Sequence, residues 1–281
     1  MTARAPRSVQ PSPLAKSLRD GDYDRFLTVL FAPPGTREAL FALLAFNLEI
    51  ARVRDAVREP MLGQIRLQWW REALAEAAVG KPRRHDVLEA LTDAGAPAAL
   101  LDEMLTARET ELEPEPPRTL AEFRAYASGT SGALSEAMAA ILGGDETMRR
   151  AARGVGTAFG MIGILRATRF LAQRGRVLLP SHLLDESGTS VAALKEVRAD
   201  AGLARAAERI ADAAREELER ARTQRRALPK EVCSAFLLMP LADAYLARLR
   251  AAKFDVLNGD LALSPLHKQL VVGWAAVRGK F

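Results

Sequence analysis

Apolar residues recur every three or four positions along almost the whole chain, which is the spacing of an amphipathic helix. This spacing predicts helical segments at residues 22–31, 36–57, 60–79, 86–93, 97–112, 119–142, 146–172, 194–228, 229–257 and 264–279. Runs of strand character are nearly absent. The Pro- and Glu-rich stretch at 113–117 predicts a loop, because the sequence has the same character on both sides of it. The pattern therefore predicts an all-α protein.

The N-terminal 20 residues differ from the rest, since they are basic, contain Pro and Ser and have no acid before Asp20. They lack the apolar core of a secretory signal, although a transit-peptide-like role stays open. We predict a flexible tail at residues 1–20 and one helical domain at residues 21–281. No stretch has the roughly 18–20 uninterrupted apolar residues that a membrane span requires. The nearest, Ala39–Ile50, is short and contains Asn47 and Glu49.

Composition and charge narrow the classes of function. The net charge of +5 comes from 40 basic and 35 acidic residues spread along the chain, a pattern that argues against nucleic-acid binding. It favours anionic partners such as diphosphates or a membrane surface. The single cysteine excludes an internal disulfide and fits a reducing compartment. The sequence has no phosphate-binding loop, nucleophile elbow or zinc-protease motif, and its three histidines lie far apart.

Two stretches of the chain resemble the motif helices of squalene/phytoene synthases. Residues 39–55 read ALFALLAFNLEIARVRD, and residues 160–180 contain Ile-Leu-Arg followed by Arg-Gly-Arg-Val-Leu-Leu-Pro. Shorter matches follow the family's order along nearly the whole chain, at Phe31–Pro34, Trp70–Arg71, His85–Leu88, Tyr126 with the small residues after it, and Ala227–Pro229. The resemblance implies a single-domain, isoprenoid-synthase-like helical bundle around a central cavity.

In that family, two helices face each other across the cavity, and each carries acidic residues four positions apart. The resemblance implies that these acids hold Mg²⁺ on the substrate diphosphates. A spacing of four places both carboxylates on one helix face. Mg²⁺ prefers carboxylate and phosphate oxygens, and it neutralises the diphosphate as that group leaves.

Most of these acids are missing at the matching positions of this chain. In the first motif the leading acids fall on Ala51 and Arg52, and only the last falls on an acid, Asp55. In the second motif the two acids fall on Ala167 and Leu171. One carboxylate cannot hold several Mg²⁺ ions. We therefore expect no metal site and no cofactor, with Mg²⁺ required only if the chain were an enzyme.

Other positions around the family's diphosphates also differ. The Gln and Asn of the second motif fall on Gly160 and Gly163, and the Ser and Phe near the N-terminus fall on Asp22 or Asp24 and on Arg25. We interpret the small and apolar residues of the second motif helix as tight packing that fills part of the cavity.

Four polar residues keep family-like positions: Asp55, Tyr126, Arg166 and Arg176. They can be interpreted as a residual diphosphate, anion or lipid-headgroup pocket, since arginine suits such groups. The structural interpretation is a set of ion pairs within the bundle, for example Asp55 with an arginine across the cavity. Glu49 faces another side of its helix from Ala51, which argues against its replacing a lost metal ligand.

The departures themselves resemble a divergent branch of the family, one that includes a mitochondrial assembly factor of respiratory complex I. Residues 45–55, Ile65–Trp70 and Leu165–Thr168 carry this closer match. The leading hypothesis is a non-catalytic synthase-fold protein that binds a complex I subunit or assembly intermediate. We expect it in the cytoplasm, with peripheral contact at the inner membrane, or in the mitochondrial matrix of a eukaryote.

Two alternatives remain open at this point. The first is a prenyltransferase that joins two prenyl diphosphates head to head, with Asp55 and either Glu49 or Asp24 in altered metal roles. The second is a membrane-surface protein that keeps an isoprenoid or lipid ligand but not the chemistry.

Overall fold

The computed structural model describes residues 12–224 and 229–279, and within them every regular element is helical. The α-helices in chain order are α1 (Pro13–Gly21), α2 (Tyr23–Val29), α3 (Arg37–Arg52), α4 (Pro60–Ala78), α5 (Asp86–Asp93), α6 (Ala98–Glu109), α7 (Leu120–Ala127), α8 (Ala133–Ile141), α9 (Glu146–Ala172), α10 (Ser181–Glu186), α11 (Val191–Lys195), α12 (Ala201–Gln224), α13 (Leu238–Ala251) and α14 (Pro265–Arg278). Short 3₁₀ turns lie at Pro34–Thr36, Thr110–Leu112 and Cys233–Phe236. The prediction of an all-α, single-domain protein is confirmed.

Helix α9 is the centre of the bundle, and α8, α12 and α13 pack along it. Its predicted bounds, residues 146 and 172, are both correct. Asp145 caps the start of the helix by accepting a hydrogen bond from the Met148 amide at 2.8 Å. By length and hydropathy α9 could cross a membrane, but 61% of its most apolar window is buried inside the bundle. This burial is typical of the core helix of a globular domain.

The small-residue run at Ser128–Gly132 forms one π-helical turn between α7 and α8. Helix α9 lies so close to this turn that a β-carbon on Gly156 would be 2.3 Å from the Ser131 carbonyl oxygen. A β-carbon on Gly132 would be 2.6 Å from Oγ1 of Thr157. These glycines therefore allow direct backbone packing, which is the close approach that their positions within a helical segment suggested.

The predicted N-terminal tail is too long. Residues 13–20 belong to α1, which packs on α3 and buries Ala15 and Leu18. Ser12 caps the helix and Pro13 occupies its first turn, where a missing amide hydrogen costs nothing. The basic composition of this stretch concealed its helical spacing, and residues 1–11 of the predicted tail lie outside the described residues.

The long solvent-facing helix predicted at 194–228 is also wrong in part. The segment divides into α11 and α12, and residues 225–228 lie outside the described residues. Helix α12 buries a full face, including Ile210, Ala214 and Leu218, against α9. Arg220 was predicted to pair with Glu216, but its Nη2 lies 2.8 Å from Oε1 of Glu217 instead. The buried face of α12 was missed because much of it is alanine, which is only weakly hydrophobic and therefore gives a weak helical pattern.

Helix α3 ends at Arg52, five residues earlier than predicted, and a turn follows at residues 53–56. Asp55 therefore lies beyond the helix, while Ala51 and Arg52 lie in its last turn. The Glu- and Pro-rich stretch at 113–117 is a loop within the domain, as predicted. The backbone oxygen of Pro117 accepts a hydrogen bond from the Ser181 amide at the start of α10.

Candidate functional site

A buried glutamate, Glu111, organises one group of charged side chains near the end of α3. Its Oε2 accepts a hydrogen bond from Nη2 of Arg176 at 2.8 Å, and its Oε1 accepts from the Tyr126 hydroxyl at 2.7 Å and from Arg108. Arg176 also donates from Nη1 to Oδ1 of Asp55 at 2.8 Å. We call these five residues the Glu111 cluster. The structure thus brings together three of the four predicted site residues.

Arg108 and Glu111, which connect the predicted residues, were missed by the sequence analysis. Burial alone would raise the pKa of Glu111, but Arg108, with help from Tyr126 and Arg176, more than offsets this and lowers the pKa. Burial raises the pKa of Tyr126, so its hydroxyl stays neutral and donates to the carboxylate. The cluster is a closed set of ion pairs at neutral pH. The expected pairing of Asp55 with an arginine is confirmed.

A cleft of about 730 Å³ opens beside the Glu111 cluster. Tyr126, Glu111 and Arg176 line it together with the loop at 113–117 and apolar residues such as Ala107 and Leu178. Two of the predicted pocket residues therefore do border an open space. However, both guanidinium nitrogens of Arg176 that face the cluster already bind carboxylates.

The fourth predicted residue, Arg166 on α9, belongs to a separate group around Asp24. The Asp24 carboxylate, only 7% exposed, accepts a hydrogen bond from the Tyr245 hydroxyl at 2.7 Å and lies 2.8 Å from Nζ of Lys268. Nη1 of Arg166 is 3.7 Å from the same carboxylate, and its guanidinium lies 3.5 Å from the centre of the Tyr245 ring. We call these four residues the Asp24 cluster. The Asp24 carboxylate thus lies between Arg166 and Lys268, where these two cations could otherwise hold a bound anion.

Arg25, at the position of the family's phenylalanine, lies next to this cluster and is also buried. It donates to Oδ2 of Asp22 and to Oγ of Ser131, both at 2.6 Å, and its guanidinium stacks 5.1 Å from the centre of the Phe159 ring. Arg25 thereby connects α2 to α9 and to the π-helical turn. The departures from the family pattern in α2 are therefore packed, paired residues.

The second motif helix, α9, has small residues at Gly160 and Gly163, and only Gly160 is tightly packed. A β-carbon on Gly160 would be 2.8 Å from that of Ser131, whereas one on Gly163 would meet no atom within 4 Å. Ala167 is half-buried and Leu171 is buried. The interpretation that this stripe fills the cavity holds at Gly160 and fails at Gly163, one turn before Arg166.

The residues present do not fit a magnesium cluster. Ala51, Arg52, Ala167 and Leu171 offer no carboxylate, and Asp55 is engaged by Arg176. Among residues 12–224 and 229–279, no three His, Cys, Asp or Glu side chains are grouped so that they could hold a metal ion. Glu49 lies on another side of α3, as expected, where its carboxylate is 3.5 Å from Nε2 of His85.

The fold and the two motif helices define the class of this protein. The sequence model of the squalene/phytoene synthase family matches residues 18–267, so the chain belongs to that family. One curated relative that matches along most of the chain is NADH dehydrogenase (ubiquinone) complex I, assembly factor 6, of Mus musculus. It is 30% identical over 249 residues, which are 87% of this chain and 75% of the relative.

Solved structures show the same fold. A dehydrosqualene synthase in complex with a ligand superposes with a TM-score of 0.81 at 17% identity, covering 94% of both chains. Squalene synthase HpnC of Alicyclobacillus acidocaldarius superposes with a TM-score of 0.75 at 18% identity, covering 86% of this chain and 93% of the other. At such low identity, these likenesses establish the architecture alone.

Proposed function

We propose that this chain is an assembly factor of respiratory complex I that acts by binding a complex I subunit or assembly intermediate and has no prenyl transfer activity. The observation that carries the proposal is the replacement of the metal-binding acids by Ala51, Arg52, Ala167 and Leu171 in an otherwise complete synthase scaffold. The similarity to complex I assembly factor 6 along 87% of the chain supports the same conclusion.

The charged clusters support a binding role on chemical grounds. Prenyl transfer requires metal ions that neutralise a leaving diphosphate. Here the remaining motif acid, Asp55, forms an ion pair with Arg176, and Arg166 faces the carboxylate of Asp24. The two retained charges of the family pattern, Asp55 and Arg166, therefore each face a group of opposite sign within the chain.

The proposal includes a location. The net charge of +5 suits contact with an anionic membrane surface, and the assembly factor of Mus musculus is a relative from a eukaryote. We therefore propose a cytoplasmic protein in a bacterium, or a matrix protein in a mitochondrion, with peripheral contact at the inner membrane.

The test is a deletion of the gene in its own organism, followed by native gel analysis of complex I and by extraction of isoprenoids. We expect less assembled complex I and unchanged squalene- or phytoene-like products. Complementation with the wild-type chain and with Asp55→Ala should both restore the complex, because Asp55 is not a catalytic metal ligand in this proposal.

A biochemical assay tests the same proposal without the cell. The purified chain is incubated with farnesyl or geranylgeranyl diphosphate and Mg²⁺, with a working synthase as the positive control. We expect no condensed product. Product formation that disappears in Asp55→Ala would replace the proposal with the prenyltransferase alternative.

A further inference from the structure

The C-terminal helix α14 presents a continuous apolar face to solvent. Four large apolar side chains of this helix are exposed: Leu266 (65% exposed), Leu270 (64%), Trp274 (62%) and Val277 (84%). Their spacing of four, four and three places them on one side of the helix, over about 16 Å at 1.5 Å per residue. Exposed apolar residues that are scattered singly are ordinary, but a contiguous row of this kind marks an interaction surface.

The opposite face of α14 is firmly docked, so the exposed row is not the helix's core side. Val272 is fully buried and Ala275 nearly so. Nζ of Lys268 is 2.8 Å from the Asp24 carboxylate, and Nε2 of Gln269 donates to the Tyr23 hydroxyl at 2.7 Å. The bundle therefore holds the helix in place and turns its apolar row outward.

The charge pattern identifies the kind of surface that this row fits. From residue 264 onward the sequence contains no acidic residue. Lys268 is paired with Asp24 on the docked face, and the basic residues Arg278 and Lys280 follow the apolar row. Arg278 is exposed, and its guanidinium lies 4.0 Å from the centre of the Trp274 ring. Tryptophan beside arginine, at the end of an amphipathic helix without acids, is the arrangement favoured at the boundary between lipid headgroups and acyl chains.

We infer that the α14 face, defined by Leu266, Leu270, Trp274 and Val277, lies on the surface of an anionic lipid membrane. The four apolar side chains enter the headgroup boundary, and Arg278 contacts lipid phosphates. This inference rests on the peripheral membrane contact proposed above and assigns a surface to it. It can be tested apart from the assembly role, because it concerns binding of the isolated chain to lipid.

Flotation of the purified full-length chain with vesicles tests the inference. The vesicles contain phosphatidylcholine alone or phosphatidylcholine with phosphatidylglycerol. We expect the chain to float with the anionic vesicles and to be released by high salt. The double variant Leu270→Glu/Trp274→Glu should weaken binding by about tenfold or more, since it removes two apolar side chains from the lipid boundary.

A matched control comes from a second exposed apolar residue, Ile65 on α4, which is 58% exposed. The double variant Met61→Glu/Ile65→Glu adds the same two charges on α4, where Met61 is 67% exposed, and should leave flotation unchanged. Circular dichroism melts of both variants check that the fold is intact, which we expect because the replaced side chains face solvent.

Three results would overturn the inference. They are a wild-type chain that does not float, a double variant that floats like the wild type, and a solution mass of two chains that the double variant reduces to one. The last would assign the α14 face to a second copy. Flotation and complex I assembly are separate readouts, so normal complex I in the deletion strain would defeat the proposed function and leave the lipid result standing.

Discussion

The Glu111 cluster and the Asp24 cluster lie near the two motif helices of the synthase fold, and each pairs a retained charge of the family pattern with an opposite charge, in opposite ways. Near α3 an acid of the family pattern, Asp55, remains, and an arginine binds it. On α9 the acids are gone, the family-like Arg166 remains, and an acid from α2 faces it. In both places the chain supplies internally the partner that a metal ion or a diphosphate would otherwise provide.

The two clusters differ in how completely they are closed. Glu111 uses both carboxylate oxygens toward Arg108, Tyr126 and Arg176. Asp24 has close contacts with Lys268 and Tyr245, while Arg166 stays 3.7 Å away, beside the open space at Gly163. The first cluster is therefore a structural crosslink, and the second is closer to an anion site that a side chain occupies.

The largest expected effect comes from removing the centre of the Glu111 cluster. Glu111→Gln leaves Arg108 and Arg176 without their shared carboxylate in a buried setting. We expect a loss of about 3–5 kcal/mol in the free energy of unfolding, the usual cost of removing one partner of a buried ion pair. Urea unfolding measures it. Glu113→Gln, an exposed residue two positions later, is the control, and equal effects in both variants would contradict the structural role.

A smaller loss, about 1–3 kcal/mol, is expected from Asp24→Ala, because a buried carboxylate that pairs with Lys268 and Tyr245 is removed. The variant should also gain affinity for an added anion. Pyrophosphate should raise its melting temperature more than that of the wild type or of Glu111→Gln. An equal response in all three proteins would show that the Asp24 cluster is a structural crosslink like the first.

Part of this comparison could be predicted from the sequence. The spacing of apolar residues was enough to define α9, and the family resemblance identified the missing acids. The structural interpretation of the retained polar residues also anticipated the pairing of Asp55 with an arginine. Glu111 was missed because it lies two residues before a Pro- and Glu-rich loop, where an acid is ordinarily solvated. Its burial depends on α7 and on the turn at Arg176, which only the tertiary fold brings to it.

Asp24 presents the same difficulty. It was recognised as a departure from the family pattern, but its partner Lys268 lies in the last helix and gives no local signal. Short-range periodicity predicts which face of a helix is apolar, but it does not say which charge on one helix meets which charge on another. Alanine-rich α12 shows the remaining limit, since its buried face is built from residues of low hydrophobic contrast.

The pH dependence of stability should distinguish Glu111 from an ordinary surface glutamate. Its folded-state pKa is lowered from the usual 4.5, so the stabilisation it provides is complete above that value and is lost as the pH falls through the folded-state pKa. The stability difference between the wild type and Glu111→Gln should therefore shrink below about pH 4.5. Thermal melts from pH 7 downward measure this difference, and a gap that stays constant to acid pH would contradict the charged pairing.

The smallest expected effect concerns Asp55, the one motif acid that remains. Its side chain is 48% exposed, and Arg176 keeps Glu111 as a partner when Asp55 is changed. Asp55→Asn should therefore cost less than about 1 kcal/mol, as solvent-screened ion pairs do. Mg²⁺ should leave the melting temperature of both proteins unchanged. A Mg²⁺-dependent stabilisation of the wild type that disappears in Asp55→Asn would show that the α3 side still binds metal, and the symmetry between the two clusters would then be lost.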